Sequence, residues 1–253
     1  MDDKFDIAKK VAIVTGGNVG IGAAIARMYL EAGASVVTCS RRDYPSPPAA
    51  EGLEGVADRI VHVTCDVREP DQIDAVVRKA VDTFGRLDIL VNNAGGSPGA
   101  PSATASPRFF AAVIAINLTG LMVFSQRANA VMQEQEEGGT IINIASVAGL
   151  LAAPFSAAYG AAKAGVINVT RSLAVEWGPK VRVNCVAPGL ILTEGADYLA
   201  PTEEAKSGIA AQIPLRRIGL PSDVADVVHF LSSPAARYVN GETIVVDGGQ
   251  RIR

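Results

Sequence analysis

A tyrosine and a lysine stand four residues apart in a stretch that predicts a helix, Tyr159-Gly160-Ala161-Ala162-Lys163. This spacing places both side chains on one face of the helix. A phenol has a pKa of about 10 and is a poor base at neutral pH. A neighbouring ammonium favours the tyrosinate and lowers that pKa. The pair therefore predicts a general acid/base that moves a proton to or from a substrate oxygen.

Ser146 lies upstream of this pair, at the predicted end of a strand that reads Asn143-Ile144-Ala145-Ser146. Its hydroxyl can donate a hydrogen bond to a substrate oxygen as negative charge develops there. A tyrosine and a lysine at this spacing also occur on ordinary amphipathic helices, so the pair alone is weak evidence. The serine at the strand end makes the pattern specific, and we predict that Ser146, Tyr159 and Lys163 act together.

A glycine-rich turn follows the first apolar run of the chain, Thr15-Gly16-Gly17-Asn18-Val19-Gly20-Ile21-Gly22. Glycines allow the backbone to approach a pyrophosphate closely, and the N-terminus of the helix that follows offers free N–H groups and a positive dipole end. The spacing differs from the general dinucleotide fingerprint, and such a turn can be purely structural. Its position between the first strand and the first helix favours a nucleotide-binding site.

The second predicted strand ends in Cys39-Ser40-Arg41-Arg42, where the adenosine ribose of a dinucleotide is expected. A carboxylate at this point binds the 2′-hydroxyl of NAD, whereas an arginine accommodates the 2′-phosphate of NADP. No carboxylate occupies the position here, Ser40 can donate a hydrogen bond, and Arg41 can bind a phosphate with its guanidinium group. We therefore favour NADP(H). The alternative is that Arg41 and Arg42 are ordinary surface charges and that Asp43 serves NAD(H).

Short apolar runs alternate with longer amphipathic stretches along the whole chain. The runs are apolar at both alternate positions, which is typical of strands buried on both faces of a parallel sheet. The alternation predicts an α/β fold, a doubly wound (Rossmann) parallel sheet of about seven strands with helices on both faces. The predicted strands are Val11–Thr15, Ser35–Cys39, Ile60–Cys65, Ile89–Asn92, Thr140–Ala145, Val181–Val186 and Thr243–Val246, and the predicted helices are Ile21–Ala32, Pro70–Phe84, Pro107–Met132, Ala157–Trp177 and Ser222–Leu231.

Three segments look irregular: Asp43–Gly55, Gly95–Ser106 and Glu194–Ile213. Ligands bind beyond the carboxyl ends of the strands in open α/β sheets. The last two segments are therefore the expected substrate walls, with a substrate loop at about residues 190–214. We predict a single domain over residues 1–253, because no Pro/Gly/Ser-rich linker divides the chain.

Composition excludes several classes of function. The formal net charge is −3, so there is no basic excess suited to nucleic acid or to an anionic membrane. Three cysteines and two histidines are scattered, a pattern that predicts neither a metal site nor disulfides. Reduced thiols, an N-terminus unlike a signal peptide and the lack of an apolar run of about 20 residues predict a cytoplasmic protein.

Taken together, these motifs resemble the short-chain dehydrogenase/reductase family, in particular its single-domain NAD(P)-dependent members. The resemblance extends from about Val11 to Gly249, nearly the whole chain. The matching residues are the glycine turn at Thr15–Gly22, Asp66-Val67, Asn92-Asn93-Ala94-Gly95, Asn117, Ser146, Tyr159, Lys163, Pro188-Gly189 and Val246-Asp247-Gly248-Gly249.

The resemblance implies a role for each matching catalytic residue. Tyr159 would donate the proton during reduction, and Lys163 would bind the nicotinamide ribose and lower the Tyr159 pKa. Ser146 would orient the substrate carbonyl, and Asn117 would hold a water that links Lys163 to solvent.

The resemblance also implies a set of residues that bind the cofactor. Asp66 and Val67 would contact the adenine, and the Pro188–Thr193 stretch would cover the nicotinamide. Many family members that prefer NADP carry a basic residue inside the glycine turn, which Asn18 and Val19 do not supply. The implied set is Gly16, Asn18, Gly20, Ile21, Gly22, Ser40, Arg41, Asp66, Val67, Asn93, Ala94, Gly95, Tyr159, Lys163, Pro188, Gly189, Ile191 and Thr193.

The substrate is less well defined by the sequence. Small and apolar residues such as Ala152, Ala153 and Phe155 would line the pocket, which favours an apolar or acyl-like carbonyl. The C-terminal pattern resembles 3-oxoacyl thioester reductases, and sugar, polyol and steroid alcohol dehydrogenases share it. A cofactor-retaining isomerase or dehydratase and a non-enzymatic nucleotide-binding protein are further alternatives. The family resemblance implies a homotetramer, with Pro107–Met132 and Ala157–Trp177 pairing across a two-fold axis.

Overall fold

The computed structural model describes residues 4–194 and 202–252. Seven parallel strands form one sheet in the order β3-β2-β1-β4-β5-β6-β7, which confirms the predicted doubly wound sheet. The order reverses between β1 and β4, so a crevice opens at their carboxyl ends. The strands are β1 Val11–Thr15, β2 Ser35–Ser40, β3 Ile60–Thr64, β4 Ile89–Asn92, β5 Gly139–Ile144, β6 Val181–Pro188 and β7 Thr243–Val246.

Helices cover both faces of the sheet and bury its alternating side chains. In β1, Ala12 and Val14 pack into the layer that contains α1 and α7. Val11 and Ile13 pack into the opposite layer, with α2 and α4. The described helices are α1 Gly20–Glu31, α2 Pro70–Phe84, α3 Pro107–Ile114, α4 Gly120–Glu134, α5 Ala157–Trp177, α6 Glu203–Ala210 and α7 Pro221–Ser232.

Helix α6 is the largest departure from the predicted elements. It lies inside Glu194–Ile213, which we expected to be irregular, and residues 195–201 of that segment lie outside the described residues. The Thr202 hydroxyl accepts a hydrogen bond from the Ala205 N–H at 3.1 Å and caps the helix. Glu203 and Glu204 occupy the first turn, where carboxylates interact favourably with the helix dipole.

The long helix predicted over Pro107–Met132 is continuous but not uniform. It runs from Pro107 to Glu134, and a π-helical turn, Ala115–Thr119, separates α3 from α4. A π-turn widens the backbone locally and is common at functional sites. Here it places Asn117 toward the crevice above β4, as described below.

By length and composition, the same helical stretch, Pro107–Glu134, could cross a membrane, which corrects the expectation that no apolar run is long enough. The core helices of globular proteins pass the same test. Phe124 and Met132 are fully buried in the layer against the sheet. Arg127 forms an ion pair with Asp74 of α2 at 2.7 Å. These contacts explain the apolar face by packing within the fold.

Candidate active site

The Lys163 side chain of α5 is buried beneath the carboxyl end of β5. It is only 3% exposed, and its Nζ donates a hydrogen bond to the Ile144 carbonyl oxygen at 2.7 Å. The Nζ lies 5.6 Å from the centroid of the Tyr159 ring. The helical spacing therefore brings the phenol and the ammonium to one place, as the sequence predicts.

Burial lowers the pKa of Lys163 to about 8, and the neighbouring Cys185 opposes this shift. Desolvation disfavours the charged form of an amine, which is the direction seen here. No ion pair joins Lys163 to a carboxylate in the ranges 4–194 and 202–252. A cation without a carboxylate partner favours a negative charge nearby, and the Tyr159 phenol and the Cys185 thiol are the acidic groups next to it.

Ser146 follows β5 directly and begins a short turn, Val147–Gly149. Its Oγ accepts a hydrogen bond from the Ala148 N–H at 3.2 Å, so the hydroxyl proton remains for donation to another group. The turn packs against the α5 backbone at Lys163. This contact fixes Ser146 relative to Tyr159 and Lys163.

Asn117 is buried in the π-helical turn and is joined to the loop after β4. Its Oδ1 accepts from the Gly96 N–H at 2.8 Å, and its Nδ2 donates to the Gly96 carbonyl oxygen at 2.9 Å. A Cβ on Gly95 would lie 2.6 Å from Asn117 Oδ1 and 3.4 Å from Lys163 Nζ. The Gly95 backbone thus lies between these two polar groups, and the structure brings Asn117 close to Lys163.

Hydrogen bonds hold the glycine turn to the end of β4. The Asn93 Nδ2 donates to the carbonyl oxygens of Thr15 at 2.9 Å and Gly16 at 3.3 Å. The Thr15 hydroxyl accepts from the Asn93 and Ala94 N–H groups, both at 2.9 Å. The Asn93 side chain therefore braces the turn. A Cβ at Gly22 would collide with the Gly16 carbonyl oxygen, so only glycine permits this tight turn.

The stretch Pro188–Thr193 lies across the crevice from the glycine turn. A Cβ on Gly20 would lie 3.1 Å from Thr193 Cγ2. Ile191 forms a parallel bridge with Gly219, and the Leu190 N–H donates to Gln250 Oε1 at 3.3 Å. A glycine cradle at a helix N-terminus, a covering stretch and a buried ammonium together fit a bound nicotinamide dinucleotide.

At the end of β2, the hydroxyl of Ser40 is already used within the protein. It donates to the Arg42 carbonyl oxygen at 2.9 Å and accepts from Asn18 Nδ2 at 3.3 Å. Arg41 is exposed and makes no ion pair within the described ranges. The donors that remain at this strand end are therefore the guanidinium groups of Arg41 and Arg42, both exposed.

Asp66 and Val67 follow β3 and face the same end of the crevice. The Arg68 guanidinium holds the pKa of the Asp66 carboxyl below its usual range, and Arg41 contributes through space. The Cys65 N–H donates to the Ser40 carbonyl oxygen at 2.8 Å, so the two expected adenosine-binding regions lie side by side. Val67 is buried against Gly120 of α4.

His62, which no sequence motif marks as functional, joins several of these residues through its ring. His62 Nδ1 lies 2.9 Å from Asn18 Nδ2 and 3.0 Å from Thr38 Oγ1, and His62 Nε2 lies 2.9 Å from the Arg42 carbonyl oxygen. The available signal was a polar residue near the carboxyl end of β3, paired in register with Thr38. A single histidine that belongs to no motif does not indicate a function until the pairing of β2 with β3 is known.

Comparisons with known proteins agree with this geometry. The family described as enoyl-(acyl carrier protein) reductase matches residues 16–251. An uncharacterized oxidoreductase of Mycobacterium tuberculosis is 39% identical over 98% of this chain and 94% of its own length. The 3-oxoacyl-(acyl-carrier-protein) reductase of Thermotoga maritima is also 39% identical, over 95% of this chain and 97% of its own.

A similar architecture is present among solved structures. A crystal structure from Brucella melitensis, described as a short-chain dehydrogenase/reductase and glucose/ribitol dehydrogenase, has a TM-score of 0.92. It is 35% identical, and the alignment covers 99% of this chain and all of that one.

The buried ammonium generates a stability prediction for Lys163→Met in the ligand-free protein. The folded-state pKa of about 8 lies below the ordinary value of 10.5, so the charge destabilises the fold fully below pH 8. This cost disappears as the pH rises to about 10.5. We expect the variant to melt no lower than the wild type at pH 7. Between pH 7 and pH 10.5, the free energy of unfolding of the wild type should rise by up to about 3 kcal/mol relative to that of the variant.

Thermal unfolding of both proteins at pH 7, 8, 9 and 10 measures this effect. Lys79→Met removes an exposed lysine of α2 and is the matched control, for which the difference from wild type should not change with pH. A constant difference between Lys163→Met and wild type over the same range would contradict the prediction.

Proposed function

Because the chain belongs to the short-chain dehydrogenase/reductase family, we propose that it interconverts a ketone and a secondary alcohol with NADP(H) as its preferred cofactor. It is an oxidoreductase of the kind that acts on alcohols and carbonyls. The observation that carries the proposal is the buried Lys163 ammonium beside Tyr159, with Ser146 fixed on the same site.

In the reduction direction, the Tyr159 hydroxyl donates its proton to the carbonyl oxygen of the substrate. Ser146 donates a hydrogen bond to the same oxygen and stabilises the negative charge that develops there. Lys163 favours the tyrosinate that results. When bound, the nicotinamide supplies the hydride in reduction and accepts it in oxidation.

Lys163 and Asn117 would form the relay that exchanges a proton between Tyr159 and solvent. Lys163 would also bind the nicotinamide ribose, because its Nζ lies at the base of the crevice, next to Gly95. Asn117 would hold a water on the solvent side of Lys163, and both polar groups face the Gly95 backbone. The relay then runs from Tyr159 through Lys163 to that water.

The remaining cofactor residues would contact the nucleotide along the crevice. Backbone N–H groups at the start of α1 would bind the pyrophosphate, the loop after β3 would contact the adenine, and the Pro188–Thr193 stretch would cover the nicotinamide. Arg41 would bind the 2′-phosphate, since it is exposed and makes no ion pair within the described ranges. NAD(H) is the alternative cofactor.

An apolar carbonyl compound, such as a 3-oxoacyl thioester, is the substrate class that the walls favour. Beside Tyr159, a small hollow is lined mainly by apolar residues, among them Phe109, Phe110 and Phe155, together with Ser97, Ser102 and Ser156. The Thermotoga relative is a 3-oxoacyl-(acyl-carrier-protein) reductase. The alternative, a sugar or polyol dehydrogenase, is supported by the Brucella neighbour.

We propose a cytoplasmic homotetramer of single-domain subunits, in which the Pro107–Met132 and Ala157–Trp177 helices pair across a two-fold axis. Exposed apolar side chains on these helices, Met122 and Val175, support such contacts. Light scattering measures the mass of the assembly directly.

A panel of ketones, 3-oxoacyl thioesters, sugars and polyols tests the reaction class. We expect the absorbance band of the reduced nicotinamide to change by one equivalent for each product formed, with an apolar or acyl substrate turned over fastest. Product without any change in this band would identify an isomerase or dehydratase. Nucleotide binding without turnover of any compound would favour a non-enzymatic protein.

Tyr159→Phe removes the proton donor and leaves the ring in place. We expect turnover to fall by roughly 10²- to 10⁴-fold, the usual contribution of a general acid, while the cofactor still binds in a fluorescence titration. Tyr238→Phe is the matched control, since Tyr238 is fully exposed and should leave turnover unchanged. Near-normal turnover in Tyr159→Phe would reject the assigned role.

Arg41→Ala tests the cofactor preference. A charge-assisted hydrogen bond to phosphate contributes about 1.5–3 kcal/mol, so KM for NADPH should rise roughly 10- to 100-fold, while KM for NADH should change little. Arg42→Ala removes the neighbouring exposed arginine and is the control. If Arg41→Ala keeps the wild-type ratio of the two KM values, NADP recognition does not depend on Arg41.

A further inference from the structure

His62 closes a ring of hydrogen bonds behind the turn that carries Arg41. The ring joins Asn18 of the glycine turn, Ser40 at the end of β2 and the Arg42 backbone. Asn18 Nδ2 reaches both His62 Nδ1 and Ser40 Oγ. His62 Nε2 and Ser40 Oγ both reach the Arg42 carbonyl oxygen, each at 2.9 Å.

The direction of every bond in this ring follows from its chemistry. A carbonyl oxygen only accepts, so His62 Nε2 must carry the ring proton that points to Arg42. His62 Nδ1 is then an acceptor, and only the N–H side of the Asn18 carboxamide can face it. The opposite atom, Asn18 Oδ1, is buried and has no hydrogen-bond partner in the described residues. The hydrogen bond from Asn18 Nδ2 to His62 Nδ1 therefore determines the orientation of the Asn18 amide.

The two segments that His62 joins differ in their other supports. Asn93 and Thr15 hold the glycine turn to β4 independently of His62. The Arg42 carbonyl oxygen, in contrast, is held by this ring, and the Tyr44 ring packs edge-on against His62 with centroids 5.5 Å apart. Loss of His62 should therefore loosen the turn after β2 and leave the glycine turn in place.

We propose that His62 is a positioning residue for 2′-phosphate recognition, because it fixes the Ser40–Arg42 turn and thereby the direction of the Arg41 guanidinium. This inference rests on the proposed dinucleotide function. It extends the specificity site from the end of β2 to a side chain of β3 that acts through the Ser40–Arg42 turn.

Calorimetric titration with two nucleotide fragments tests the proposal without catalysis. Adenosine 2′,5′-bisphosphate carries the 2′-phosphate, and ADP does not. In His62→Phe, we expect Kd for the bisphosphate to rise about fivefold, the factor for a hydrogen bond of about 1 kcal/mol, and Kd for ADP to change less than twofold. His62→Gln, whose amide can donate to Arg42 and accept from Asn18, should recover part of the loss.

A double-mutant cycle separates positioning from general damage. If His62 acts through Arg41, His62→Phe should have no selective effect on the bisphosphate in the Arg41→Ala background. Thr38→Val is the control, since it removes the other neighbour of His62 Nδ1 and should leave the ratio of the two Kd values unchanged. Equal loss for both fragments in His62→Phe, or an undiminished selective loss in the Arg41→Ala background, would overturn the proposal.

The wild-type protein supplies a test that needs no stable variant. His62 and His229 are the two histidines of the chain, so long-range ¹H–¹⁵N spectra resolve them readily, and His229→Gln assigns them. We expect His62 to carry its proton on Nε2, and a proton on Nδ1 would overturn the inference. Wild-type protein that binds neither fragment would overturn the proposed function too, whereas unchanged binding in His62→Phe would reject only the role of His62.

Discussion

The burial of one lysine ammonium is the constraint on which the catalytic end depends. A charge removed from water is costly unless the surroundings compensate, and Lys163 has a single carbonyl oxygen, that of Ile144, within hydrogen-bonding distance among the described residues. The fold keeps the charge there because Ile144 belongs to β5, which is paired on both sides by β4 and β6. The same low-dielectric position that lowers the Lys163 pKa makes its effect on a neighbouring phenol strong.

A chain of buried polar side chains keeps α5 in register with the sheet that supports this charge. Asn92 donates to Asn143 Oδ1 at 2.9 Å, and Asn143 donates to Thr170 Oγ1 at 3.0 Å. These bonds join β4, β5 and α5, and each partner is buried. A buried amide tolerates few alternative geometries, because leaving its donor or acceptor without a hydrogen bond costs more stability than the bond itself contributes. The positions of Tyr159 and Lys163 are therefore set by contacts below the site as well as by helix spacing.

Local patterns in the sequence were sufficient for most of the elements and for the placement of Tyr159 beside Lys163. Strand bounds at Val11–Thr15 and Ile89–Asn92 and helix bounds at Pro70–Phe84 agree with the structure residue for residue, because alternation and capping act over a few residues. Helix α6 was missed because it is only eight residues long and contains Ser207 and Gly208, which are poor helix formers. The roles of Asn93 and His62 were not predictable, because their partners are 20 to 78 residues away along the chain.

In the proposed function, the reaction and the choice of substrate depend on different parts of the fold, which accounts for relatives of one architecture that bear different names. Ser146, Tyr159 and Lys163 stand on β5 and α5, whose positions follow from the buried sheet. The walls beside Tyr159 come from loops, joined where the Ala100 N–H donates to the Phe155 carbonyl oxygen at 2.8 Å. A change in these loops alters the shape of the pocket without disturbing the ammonium or the strand beneath it. A reductase of acyl thioesters and a dehydrogenase of polyols can therefore share the chemistry of this site and differ in the loops that form its walls.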